Sequence, residues 1–354
     1  VETATDASRW IMEGKYIYGI IKANDNATLD ISGLGGSSRV RTIAHQDLSC
    51  VLSDYSGREF SSMSKEEVVK CLLAHQVVVE HIMKEHTVLP VKFGTVLATS
   101  DEVRDVLSRG RQQFVDTLGW IHDKVEVEVA ATWDTEQVLR EISTEPEIMR
   151  ARDVTASGPG QRSLEERIRL GQMVKASMDR RRDSYREQMI SFLKPVVVDV
   201  QPNALVSDEM VMNVAFLVER ANQEEFDSRV RQLNDLFQDQ INFRIIGPLP
   251  PYSFATVEVT RPDPEKIEEA RHLLGLGENI SEAEVRRAYR HLAAETHPDR
   301  KPGDEMAKVR FAKLRQASDL LIAYCQGQAE SGGSLLIKIR RLKNEYLHFV
   351  ETGV

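Results

Sequence analysis

Apolar residues recur along this chain with two different periods, and the places where the period changes mark the predicted elements. In Lys15 to Lys22 (KYIYGIIK), Val40 to Ala44 and Leu48 to Tyr55, β-branched and aromatic residues crowd together. GLGG at 33 to 36 and a polar turn separate them, which predicts paired strands. From Ser64 to Glu85 the spacing shifts to threes and fours, with Val68, Leu72, His75, Val79 and Ile82 on one stripe. Ser64 and Glu67 stand three apart, as a helix-opening capping box requires. Asp101 to His122 repeats the helical theme. Lys124 to Trp133 (KVEVEVAATW) alternates strictly, the pattern of a strand with one wet face.

Thr155 to Arg162 (TASGPGQR) combines glycine, proline and polar residues and reads as a linker. A long helix follows from Ser163 to Lys194, capped by Ser163 with Glu166, its packing side carrying Leu164, Ile168, Val174, Met178, Tyr185, Met189 and Phe192. Strands are predicted at Pro195 to Val200, Met210 to Glu219, Ile241 to Ile246 and Ser253 to Thr260, with a helix at Glu224 to Gln238. The fold class is therefore α+β, with two ferredoxin-like sheet-and-helix domains and a helical hairpin module after them. The expected divisions are a flexible N-terminus at 1–14, an N-terminal α+β domain at 15–154 and a linker at 155–162. A second α+β domain at 163–262, a helical module at 263–328 and a C-terminal helix at 334–354 complete the chain.

In the helical module a second capping box, Ser281 with Glu284, opens a helix whose apolar side is Val285, Ala288, Tyr289, Leu292 and Ala293. Arg286, Arg287 and Arg290 fall on other faces. Pro298 disfavours helical geometry at His297, so His297, Pro298 and Asp299 form the exposed tip of a hairpin. Its second arm carries Ala307, Phe311, Leu314, Ala317, Leu321 and Tyr324. Farther on, Leu335, Ile339, Leu342, Tyr346 and Phe349 follow a four-three step, the seam of a helix packed on its own domains or on a partner.

Composition narrows the functions. With 354 residues, two or three domains are expected. Hydrophobic residues at 41% and charged residues at 29% are ordinary for a globular chain, and the net charge of -9 argues against bulk nucleic-acid binding. Cys50, Cys71 and Cys325 are too scattered for a disulfide framework, which fits a cytoplasmic setting. No secretory signal and no membrane span is legible. GLGG lacks the spacing of a phosphate loop. His75, His81 and His86 lie on different helix faces and make no metal set. Arg180, Arg181 and Arg182, flanked by Asp179 and Asp183, read as a solvated face. No cofactor and no catalytic constellation is implied, and an enzyme is not expected.

Two resemblances follow from longer stretches. HLLGL at 272 to 276, EVRRAYRHLAAETHPDR at 284 to 300 and KVRFAKLRQASDLL at 308 to 321 resemble a J domain of the DnaJ type. That resemblance implies an Hsp70 (DnaK-type) partner engaged by Arg286, Arg287, Arg290, His297, Pro298 and Asp299; a hairpin kept only for packing is the other reading. YIYGII at 16 to 21, LPVKFGTVL at 89 to 97 and GPLPPYSFA at 247 to 255 resemble the gas vesicle protein F/L family, over about residues 15 to 260. Lys92 stands where that family usually has arginine, keeping charge but losing a planar fork, and Leu249 where tryptophan is frequent.

The family resemblance implies a gas vesicle accessory protein, cytoplasmic and associated with gas vesicles. Its implied partners are the main hydrophobic shell subunit (GvpA-like) and other gas vesicle accessory proteins. Lys92, Phe93, Pro250, Pro251 and Tyr252 are candidate contacts to the shell subunit. Each of the two segments also has a purely structural reading, as a joint between strands. A holdase of the shell subunit and an inert wall component are the two roles that remain open.

Overall fold

The computed structural model describes residues 11–36, 38–156, 164–238, 240–261, 263–278, 280–296, 305–331 and 335–340. They fall into two units, the first from Val1–Trp120 together with Ala255–Arg341, the second from Ile121–Phe254.

The first unit begins with β1 (Ile11–Ile21), β2 (Thr28–Ser32), β3 (Arg39–His45) and β4 (Leu48–Arg58). Then come α1 (Lys65–Met83), β5 (Val88–Pro90), β6 (Val96–Leu97) and α2 (Ser100–Trp120). The sheet runs β2-β3-β4-β1-β5, with β6 also on β1, and every pairing is antiparallel. Its central strand buries Tyr16, Ile17, Tyr18, Ile20 and Ile21, as a run of β-branched and aromatic residues should when both faces are covered. The GLGG segment makes the expected turn, with Gly35 and Gly36 at positive φ where side chains are disfavoured.

Helix α1 opens on the predicted capping box, Ser64 and Glu67 exchanging side-chain and backbone hydrogen bonds. It buries His75, Val78, Val79, Ile82 and Met83. Leu72, expected in that stripe, faces out instead with Val69, Leu73 and Val77. The helix is apolar on two sides, and periodicity alone could not choose which one meets the sheet.

The second unit comprises β7 (Lys124–Trp133), α3 (Thr135–Ile142), α4 (Pro146–Ala156) and α5 (Leu164–Leu193). After these come β8 (Asp199–Pro202), β9 (Met210–Glu219), α6 (Gln223–Leu236) and β10 (Ile241–Leu249). Its antiparallel sheet has the order β10-β7-β9-β8, so the first and third strands are central, which is the ferredoxin-like arrangement. Val125, Val127, Val129, Ala131 and Trp133 of β7 join Met189, Leu193, Phe216, Phe226 and Val230 in one core.

Strand β7 was expected beside the first strands; it pairs with β9 and β10 instead, so the second unit starts at Ile121 rather than beyond the 155–162 segment. Ile168 is exposed, contrary to its predicted place on the packing side. Thirty residues of α5 span about 45 Å against about 33 Å for a ten-residue strand, so one end of the helix overhangs the sheet. The segment from Pro195 begins as a short 3-10 turn, Lys194–Val196, before β8. Ser163 lies outside the described residues.

The chain then returns to the first unit as β11 (Thr256–Thr260), α7 (Pro264–Leu274), α8 (Glu282–Thr296), α9 (Glu305–Ser331) and β12 (Leu336–Arg340). Helix α7 starts on Asp263, whose side chain accepts from the Glu265 N–H, with Pro264 at its first turn; it stops at Gly275 in the left-handed conformation. Val285 packs with Ile267, Leu274, Leu314, Ala317 and Leu321 in a separate helical core, which bears out the expected hairpin contact. The C-terminal helix expected at 334–354 is corrected in its first part: Leu336–Arg340 is a strand paired antiparallel with β11. Ile337 and Ile339 alternate with Lys338 and Arg340 there, and a waiting strand edge favours that period over the four-three step. Residues 341–354 lie outside the described residues.

Candidate functional site

LPVKFGTVL is held against β1 at both ends. Pro90 pairs with Gly19 and Leu89 with Ile20, while Val96 and Leu97 pair with Tyr16 and Lys15. Between these contacts the chain turns at Lys92 to Thr95. The Thr95 N–H and hydroxyl both donate to the Lys92 carbonyl, at 3.3 and 2.7 Å, and Gly94 takes φ +84. The Gly94 N–H donates to the Tyr16 hydroxyl, 3.3 Å away, which lies 2.9 Å from His75 Nδ1.

Phe93 turns inward onto an aromatic cluster, its ring 5.1 Å from Phe60, 5.8 Å from His75 and 6.4 Å from Tyr16 between centroids. Burial holds the His75 imidazole down to about 4, so it is neutral at neutral pH. Lys92 points the other way and is exposed, its Nζ 3.4 Å from Glu258 Oε1. Arg340 Nη2 reaches the same oxygen at 2.6 Å. Of the two residues put forward here, Lys92 presents a surface and Phe93 anchors the turn behind it.

GPLPPYSF, residues 247 to 254 of the second segment, lies in the second unit beside β7. Leu249 is in register with Glu126, and the pairing is irregular between Ile246 and Leu249. Gly247 has φ +150, and a Cβ there would lie 3.0 Å from the Glu126 carbonyl, so only glycine fits. The Tyr252 N–H donates to the Pro250 carbonyl at 2.7 Å and the Phe254 N–H to that of Pro251 at 3.1 Å, curling the chain back. Ser253 then donates from its N–H to Glu126 Oε2 at 2.8 Å and from its hydroxyl to Oε1 at 2.7 Å.

Glu126 is 1% exposed. Burial pushes its carboxyl up to about 7, against the pull of the Ser253 donors and with a further push from Glu128. Pro250 and Pro251 are buried and Tyr252 is half-buried, so the prolines shape the segment rather than display it. Glu126 went unread in the sequence because it sits on the face of KVEVEVAATW expected to be wet. The serine that covers that face is 127 residues away.

The helical module is an insertion between two paired strands. Thr260 and Leu336, its two roots, face each other across β11 and β12. Both are gripped by α2: Glu102 pairs with Arg261 at 2.6 Å, and Arg109 Nη2 donates to the Leu335 carbonyl at 2.7 Å. Immediately beyond GPLPPYSFA, Val257 of β11 bridges Val91, and the Lys92 N–H donates to the Val257 carbonyl at 2.8 Å. The strand that roots the helical module thus runs beside LPVKFGTVL.

On α8 the predicted capping box is present, with Ser281 and Glu284 bonded at 2.7 to 3.4 Å. Arg286, Arg287 and Arg290 are exposed; Arg286 pairs with Glu282 at 2.6 Å, and the Arg290 Nε donates to the Arg286 carbonyl at 3.2 Å. His297, Pro298 and Asp299 lie outside the described residues.

Residues 14–256 match the model of the family described as gas vesicle synthesis protein GvpL/GvpF. The chain belongs to the GvpL/GvpF family. A DnaJ domain model matches residues 272–324, from the end of α7 through α8 and into α9. Gas vesicle protein F of a Streptomyces species is 27% identical over 241 residues, 68% of this chain and 98% of that protein. Gas vesicle protein F1 of Halobacterium salinarum is 24% identical over 250 residues, 70% of this chain and 95% of that one.

Among solved structures, GvpF from Anabaena superposes with a TM-score of 0.60 at 24% identity, covering 68% of this chain and 98% of its own. GvpF from Microcystis aeruginosa does so at 0.56 and 23%, again with 68% and 98% coverage. A GvpL/GvpF member carrying a DnaJ domain has a gas vesicle accessory role. Among the described residues no helix is long and apolar enough to cross a membrane, and no cluster of three or more metal-ligating side chains occurs.

Proposed function

We propose that this chain binds the main hydrophobic shell subunit of gas vesicles before it enters the wall, keeps it from aggregating, and passes it on with the help of an Hsp70 partner. A holdase needs no active site; it acts by mass action, covering an aggregation-prone surface until assembly withdraws the subunit. The observation that carries the reading is the rooting of a DnaJ-type module between β11 and β12, with β11 lying along LPVKFGTVL and Glu258 shared between Lys92 and Arg340. A module merely tethered to a vesicle protein would need no such seat. Exposed Arg286, Arg287 and Arg290 supply positive charge that steers an acidic surface of the Hsp70, and His297 to Asp299 supply the tripeptide of the J-domain resemblance.

The test measures ATP hydrolysis by the cognate Hsp70 with this protein and with His297→Gln, with and without shell subunit, alongside light scattering by the shell subunit. Wild type alone should stimulate hydrolysis, more strongly with shell subunit present, and scattering should fall with either protein. Equal stimulation by wild type and variant would remove the Hsp70 arm. Unchanged scattering would remove the holdase arm and favour a structural wall component, which would then stay on washed vesicles at high salt.

A further inference from the structure

Helix α1 carries an outward apolar face that no described residue of its own unit covers. Val69, Leu72, Leu73 and Val77 are 52%, 44%, 57% and 58% exposed, while the opposite side of the same helix fills the core. Isolated exposed apolar residues need no explanation, but four at steps of three and four on one helix form a contiguous patch.

The charges around this patch select its occupant. At about 100° per residue, Glu66, Val69, Lys70, Val77, Glu80 and Lys84 all lie within about 60° of Leu73 around the helix axis. Two such helices laid antiparallel, with a two-fold axis level with position 75, set Leu73 of each copy against Val77 of the other. The same register sets Lys70 against Glu80 and Glu66 against Lys84, each pair occurring twice by symmetry. A parallel alignment would instead oppose Lys70 to Lys70 and Glu66 to Glu66, which is repulsive. The face is therefore complementary to itself in one orientation.

We propose that α1 is the self-association face of this protein, joining two copies through an antiparallel α1 pair centred level with position 75. Leu73 and Val77 form the apolar centre, and the Lys70 with Glu80 and Glu66 with Lys84 contacts set the register. The patch is small for a permanent dimer, so association depends on concentration. It does not depend on which client the protein carries.

Sedimentation velocity and light scattering of the full chain, from about 1 to about 100 μM, test this directly. The wild type should move from the mass of one copy toward that of two. Leu73→Asp should remain single throughout, with an unchanged circular dichroism spectrum because its site is exposed. Lys70→Glu and Glu80→Lys should each weaken association by about tenfold, since one change per chain makes two like-charge contacts in the pair. The combined Lys70→Glu/Glu80→Lys chain should return to within about threefold of wild type, because reversing both charges restores complementarity. A single-copy mass at every concentration would overturn the proposal, as would a double variant no better than the singles. So would a single-copy chain that captures shell subunit through Leu73, since the face would then have a different occupant.

Discussion

Glu126 and Ser253 stand 127 positions apart in the chain, and the serine closes both carboxylate oxygens of the glutamate with its N–H and its hydroxyl, at 2.8 and 2.7 Å. This contact fastens GPLPPYSFA to β7. Ser253→Ala removes one of two donors to a buried carboxyl and should cost about 1–3 kcal/mol, read by denaturant unfolding of the second unit. It should also raise the Glu126 pKa further, because the lost bond favours the charged form.

The pH dependence of the two units should have opposite signs. Glu126 is raised to about 7 in the fold from 4.5, so between these values the folded state binds more protons than the unfolded. Its contribution is complete below 4.5 and is lost as pH rises through 7, by roughly 3 kcal/mol. His75 is lowered to about 4 from 6.5, so its contribution is complete above 6.5 and is lost as pH falls through 4. Residue-resolved hydrogen exchange from pH 4.5 to 7.5 should show β7 and β9 losing protection, at constant intrinsic rate, while α1 and β1 gain it. Glu126→Gln should flatten the first trend and leave the second.

Tyr16→Phe deletes the hydroxyl that meets His75 Nδ1 at 2.9 Å and accepts from the Gly94 N–H. A loss of about 1–3 kcal/mol is expected from leaving buried groups short of a partner. The Gly94 amide should exchange faster than in the wild type, and Lys92, carried by the same turn, should lose its fixed position beside Glu258. Unchanged Gly94 exchange would show that the turn does not depend on Tyr16.

Arg109 is almost covered, and it holds the Leu335 carbonyl while pairing with Asp105 at 3.1 Å. Arg109→Ala should loosen the β12 root by about 1–3 kcal/mol, seen as faster exchange at Ile337 and Ile339. The partly exposed Glu102 with Arg261 pair is worth less, about 0.2–1 kcal/mol, so Glu102→Ala should have the smaller effect.

Leu321 is fully buried among Leu314, Ala317, Val285 and Ile267. Leu321→Ala should cost about 2–5 kcal/mol in the helical module. Helix α8 exchange should rise while the β7 and β9 amides of the other unit keep theirs.

The sequence by itself determined most of the elements and the family. Met210–Glu219 and Lys124–Trp133 are strands over the limits read from the sequence, the second by its strict alternation, and the Ser64 with Glu67 and Ser281 with Glu284 boxes open their helices, because period and capping are local properties. The matched segments LPVKFGTVL and GPLPPYSFA and the J-type helices were likewise legible as strings. Tertiary structure decided what those strings face. It moved β7 into the second sheet, exposed Leu72 and Ile168, buried Pro250 and Pro251, and made a strand of Leu336–Arg340 where a helical step was also present. It also brought Ser253 onto Glu126 and Arg340 onto the glutamate that Lys92 shares. Such outcomes rest on which surface arrives from a distant part of the chain, and a residue's own neighbours in sequence carry no record of it.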